Sequence, residues 1–181
     1  MNRTTLAIGA AAMALAAAAC GTATAQPAAT TTTVEHAHDM EGMAMGDTSA
    51  TRADDVQDAD LVSGSFAGLN GAKGVSGNAW LARHDGGTTV TVELHGLAPG
   101  ADFTSHVHAG SCADGGGPHY KFDPEGGHHP PNEIHLTFSA SDDGHGFMTA
   151  ENGQVAGEAA TSVAVHAVDG DADDWLCADL E

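Results

Sequence analysis

Positive charge is scarce in this chain. Its 181 residues include 5 Lys and Arg against 25 Asp and Glu, a formal net charge of −20. So few cations leave no patch for phosphate backbones, which excludes nucleic acid as a partner. Long apolar runs are also lacking. The stretch Leu6–Ala19 is too short to cross a bilayer as a helix and is interrupted by Gly9. No long amphipathic pattern of helical period runs through the remainder, which points away from a helical fold. Cysteine is limited to Cys20, Cys112 and Cys177.

What the first quarter does contain is an export signature. The short positive start Met1-Asn2-Arg3 precedes the Ala-rich run Leu6–Ala19, the order and length of a signal peptide. Two processing sites compete. Ala17-Ala18-Ala19-Cys20-Gly21 has the form of a bacterial lipobox, giving residues 1–19 as signal peptide and a lipid on Cys20. Ala23-Thr24-Ala25 fits ordinary cleavage after Ala25. In an exported segment Cys112 and Cys177 pair by default. Cys20 is then the odd thiol, and lipid attachment explains it. The expectation is a protein of the periplasm or cell envelope, lipid-anchored to the membrane or else secreted.

Residues 20–58 are rich in Ala, Thr, Asp and Met and read as a disordered tether. One island interrupts it, formed by His36, His38, Met40, Met43 and Met45. Imidazole and thioether together are soft ligands that select copper, Cu(I) included. Residues 59–181 read as the folded domain, long enough for one core. Strand patterns occur at Leu61–Phe66, Gly77–Arg83, Val90–Leu94, Glu133–Phe138, Gly146–Ala150 and Ser162–His166. Turn residues at His84–Gly87, Ala98–Gly100 and Ser141–Gly144 punctuate them. The fold class is all-β, a sandwich or flattened barrel of about eight antiparallel strands. The segment 110–131 has no strand pattern, and an irregular stretch of that length in a small domain implies function.

His106-Val107-His108 is the pair that carries the chemistry. In a strand, residues i and i+2 share a face, so an H-x-H pair aims two imidazoles at one point. Imidazole suits copper, zinc, iron and nickel. Cys112 follows, then His119 beyond a Gly-rich turn, and His166 closes a later strand.

Leu94-His-Gly-Leu-Ala-Pro-Gly100 followed by Phe103-Thr-Ser-His106-Val-His108-Ala-Gly-Ser-Cys112 resembles the copper/zinc superoxide dismutase signature. Gly117-Pro-His119-Tyr, Ser162-Val-Ala-Val-His166-Ala and Leu176-Cys177-Ala resemble three further segments of that family, in the same order. The resemblance covers about residues 60–181. It implies a Greek-key β-sandwich, copper held by His106, His108, His119 and His166, and a Cys112–Cys177 disulfide tying the active-site loop to the last strand. It implies superoxide as substrate and His119 as the catalytic residue that bridges copper to zinc and delivers a proton. For zinc it implies His119, His128 and His135, completed by His129, Glu133 or water, a donor set suited to that ion.

The departures from the family bear on activity. Where the family has an Arg three residues before the last Cys, this chain has Asp174. No Lys or Arg follows Lys121, and the loop between His166 and Cys177 is shorter than the family's. Anionic substrates are steered by a local positive field. Exchanging a cation for an anion on the approach path costs on the order of 1–3 kcal/mol at an effective dielectric near 20. Dismutation slowed by roughly 10–100-fold is the expectation. The alternative is a copper-binding or copper-delivery protein on the same fold. Of the other side chains, His84, His95 and His145 read as solvated, Trp80 and Phe138 as core, and Trp175 as a cover for the copper mouth.

Overall fold

The computed structural model describes residues 46–69, 74–170 and 175–181. They fall within one compact unit, Asp39–Glu181. The strands are β1 (Asp60–Ser65), β2 (Ala67–Leu69), β3 (Ser76–His84), β4 (Gly87–His95), β5 (Asp102–His108), β6 (His135–Ser139), β7 (Gly146–Asn152), β8 (Ser162–Ala167) and β9 (Trp175–Asp179). They form two antiparallel sheets, one of four strands in the order β1-β3-β4-β7 and one of five in the order β2-β9-β8-β5-β6. This is the expected β-sandwich. Regular helix is absent among the described residues, apart from single 3-10 turns at Ala53–Asp55 and Cys112–Asp114.

Period-2 alternation builds the core. Leu81, Val90, Val92 and Leu94 on one sheet, and Val107, Leu136, Val163 and Val165 on the other, are all essentially inaccessible. Burying each such side chain contributes about 1.5–3 kcal/mol. Phe103 and Phe138 stack with ring centroids 5.6 Å apart. Gly146 lets them do so, since a Cβ there would stand 2.6 Å from the Phe138 ring. Phe138 is thus core, as its pattern implied.

Two boundaries differ from the sequence reading. Residues 47–56, expected in the tether, pack on the outer face of the four-stranded sheet. Asp47 N–H donates to Thr149 O, and the buried Ala53 donates to Thr91 Oγ1 at 2.9 Å. The Arg52 guanidinium lies over Trp80 and Phe147, 4.9 and 5.2 Å from the ring centroids. It is this cover, rather than the central core, that Trp80 joins. The strand expected to start at Glu133 starts instead at His135. Glu133 lies in the preceding turn, where its N–H points back to His129 O. Cys20, His36, His38, Met40, Met43 and Met45 lie outside the described residues.

Candidate metal centre

The same alternation that buries Val107, Val163, Val165 and Leu136 turns their neighbours to the outer face of the five-stranded sheet. On β5 those neighbours are His106 and His108, on β8 His166, and on β6 His135. Strand register brings them together: His106 lies opposite His135 on one side and Ala164 on the other, while His166 lies opposite Thr104. His119 arrives from the long loop. A single bridge pairs it with His108, with Tyr120 N–H donating to Val107 O and Ala109 N–H to Pro118 O. The ligand atoms of His106, His108 and His166 lie within 4.8 Å of one another, and so do those of His106, His119 and His135. Ring centroids are 4.2 Å apart for His106–His119 and 4.8 Å for His108–His119.

Hydrogen bonds fix which nitrogen His108 and His119 present. His108 Nδ1 donates to Gly117 O at 3.1 Å, which leaves the Nε2 lone pair free. His119 Nδ1 is engaged by Glu133 Oε2 at 2.8 Å, which leaves its Nε2. His106 Nδ1 and His108 Nε2 are buried and make no hydrogen bond. An unpaired buried polar atom costs about 1–3 kcal/mol, and a metal ion is the partner these two atoms suit. The donor set of neutral imidazoles fits copper, zinc, iron or nickel.

Their protonation state agrees. Burial, reinforced by the four neighbouring imidazoles, pushes His106 down to about 3. Burial also lowers His108, and burial followed by His119 lowers His166. A metal ligand must be unprotonated, and these rings are so at neutral pH. The unfolded chain binds protons at these sites below about pH 6.5, where folded His106 does not. Stability of the metal-free protein is therefore full above that pH. It should fall as pH drops from 6.5 towards 3, which urea titrations across that window would read.

Glu133 is the most unusual side chain here, a carboxylate only 1 % exposed. Its Oε2 accepts from both His119 Nδ1 at 2.8 Å and His135 Nε2 at 2.9 Å. Burial alone would raise its pKa. The hydrogen bonds from His135 and His119 outweigh that and hold it below the usual carboxylate value, so it stays ionised. His128 Nδ1 lies 3.3 Å from Glu133 Oε1. The sequence-derived zinc residues His119, His128 and His135 are thus all gathered on Glu133, one of the three candidates for their fourth partner. His129 stands farther off, its ring 6.3 Å from that of His135.

The surroundings brace the centre. Cys112 and Cys177 form the expected disulfide, joining the loop to β9 with a Cα–Cα distance of 5.7 Å. Gly115, Gly116 and Gly117 follow, all at positive φ. A Cβ on Gly116 would press within 3.0 Å of the His108 ring. Trp175 stacks on His166 at 5.7 Å and on His108 at 6.4 Å. Lys121 Nζ donates to Gly126 O and lies 3.3 Å from His128 Nε2. Asp174 lies outside the described residues.

Sequence reasoning missed the centrality of Glu133 and the pairing of two histidines it had set aside as solvated. His95 and His145 stack at 4.8 Å beside Glu93. His84 accepts from Gly86 N–H and lies 3.0 Å from Thr89 Oγ1. No protein-family model matches the chain, and no curated protein matches it. Among solved structures the chain is similar to the Cu/Zn superoxide dismutase from Brucella abortus, with 20% identity and a TM-score of 0.48, over 67% of this chain and 100% of that one.

Proposed function

We propose that the protein is an exported, copper-dependent superoxide dismutase. The observation that carries this reading is the triad His106, His108 and His166, with His119 stacked on His106 and the buried His106 Nδ1 and His108 Nε2 left unpaired. Copper bound there would supply one-electron chemistry, by which two superoxide anions and two protons give oxygen and hydrogen peroxide. The protein's share is geometry and proton handling. His106, His108 and His166 are fixed to adjacent strands. His119 keeps its Nδ1 proton on Glu133, and its Nε2 is placed to hold a second proton and give it to peroxide. Trp175 limits water over His166 and His108. The disulfide suits an oxidising compartment, in keeping with the signal-like start of the chain. Lipid on Cys20 would anchor the domain, and the His36–Met45 island would capture copper for it.

For the second metal, the sequence points to zinc, and His128 Nδ1 at 3.3 Å from Glu133 Oε1 suits it, but the other Glu133 contacts lead us to weigh copper alone against it. Ligand atoms on a tetrahedral zinc stand about 3.3 Å apart, given bonds of about 2.0–2.2 Å. The Glu133 Oε2 separations of 2.8 and 2.9 Å are hydrogen-bond lengths. We therefore favour copper alone, with Glu133 orienting His119 as an outer carboxylate. Zinc on His119, His128, His135 and Glu133 is the competing arrangement.

The test is metal analysis and a superoxide assay on one sample of the full chain. Copper without zinc, activity well above that of nonspecifically bound copper, and its loss in His119→Ala are expected. Activity no higher than adventitious copper gives would favour the copper-delivery reading, to which the acidic surface and Asp174 lend support. Stoichiometric zinc would restore the bridged arrangement.

A further inference from the structure

A second group of metal-ligating side chains lies on the other sheet. Glu93 and His95 are at the end of β4, and His145 closes the turn before β7, where Leu94 pairs with Gly146. His135 begins β6, and the turn 141–145 follows its far end. At about 3.3 Å per residue, the strand alone sets this group well over 10 Å from the main centre.

The three ligand atoms lie within 4.8 Å of one another. His145 Nε2 is 3.2 Å from Glu93 Oε1, and His95 Nε2 is 3.9 Å from the same oxygen. Those separations bracket the edge of about 3.3 Å expected around a tetrahedral ion with bonds near 2.0–2.2 Å. The imidazoles are stacked at 4.8 Å and nearly parallel. The carboxylate is held ready. Arg52 Nη1 binds its other oxygen, Oε2, at 2.9 Å, and Arg52 is itself fixed by Asp54 and by the Trp80 and Phe147 rings. Arg52 therefore orients Glu93 with Oε1 towards the imidazoles, and Asp54 shares its positive charge. His95 and His145 are exposed enough for an ion to enter from solvent. Two imidazoles and one carboxylate make a donor set for zinc, nickel or Cu(II), with water completing the shell.

We infer that Glu93, His95 and His145 form a second binding site for a divalent first-row metal ion, clipping the turn 141–145 to the end of β4. The site depends on no residue of the main centre. The test titrates zinc(II) into the copper-loaded full chain, with the bound equivalents counted by calorimetry and the imidazole signals followed by NMR. In the parent protein the His95 and His145 signals should shift with zinc. His95→Gln and His145→Gln should each bind one zinc equivalent fewer, with copper content and superoxide activity unchanged. An unchanged zinc count in both variants would overturn the site. So would parent His95 and His145 signals that do not move at saturating zinc, a readout independent of how the variants fold.

Discussion

Glu133→Gln should lower copper affinity and superoxide turnover per copper by about 10–100-fold, the range for losing an outer partner of a metal ligand. Its single oxygen Oε2 accepts from two imidazoles, His119 and His135. Glutamine keeps the shape but places an amide where an all-acceptor carboxylate stood. Its carbonyl oxygen can still accept both bonds, but without the negative charge the hold on the His119 Nδ1 proton weakens. If His119 moves its proton to Nε2, it can no longer ligate. Stopped-flow superoxide decay, normalised to measured copper, gives the comparison. An unchanged rate per copper at full loading would mean that Glu133 is merely a buried ion and does not govern His119.

Reducing the Cys112–Cys177 bridge, or replacing Cys177 with serine, is expected to bring the largest loss of stability. The bridge spans 65 residues of sequence. The chain-entropy account gives about 4 kcal/mol for a loop of that size. For a domain of roughly 120 residues that lowers Tm by about 15 °C. The damage should reach the metal centre as well. Cys112 opens the 3-10 turn that leads into Gly115–Gly117, and Gly117 O fixes the His108 tautomer. Cys112 N–H is also bound by Asp179 of β9 at 2.7 Å, so some of the turn's position survives reduction. Calorimetry with and without reductant reads the effect, and an unshifted Tm would show that the native contacts alone hold the loop.

The strands that build the core were legible because their signal is local. Ser162–His166 alternates over a span that one sheet face can bury, and His106-Val107-His108 needs only period 2 to aim both rings outward. The disulfide was legible because an exported pair of cysteines has few alternatives. Glu133 was less so. Its neighbours Asn132 and Ile134 say nothing of a buried carboxylate, and only the folded loop closes His119, His128 and His135 around it. The His95–His145 stack depends on the β4–β7 register, a pairing across some fifty residues that no local pattern encodes. The cover formed by residues 47–56 was hidden for a different reason. Its attachment rests on Ala53 and on Arg52 over two rings, contacts that composition alone reads as linker.

The main centre draws its ligands unequally from the fold. His106, His108 and His166 sit on β5 and β8, neighbours in the middle of their sheet, whereas His119 hangs from the loop by one bridge and Glu133. Most of the conformational entropy of arranging the site is therefore lost when the chain folds, before any ion arrives. Binding of the proposed copper would then order little further, which favours tight binding for a given set of contacts. An ion bound there would in turn stabilise the folded state through mass action, by an amount that grows with the ratio of free ion to Kd. Of the four proposed ligands, His119 is the one not borne on a strand, so a shift of its ring would leave the strand pairings of β5 and β8 intact.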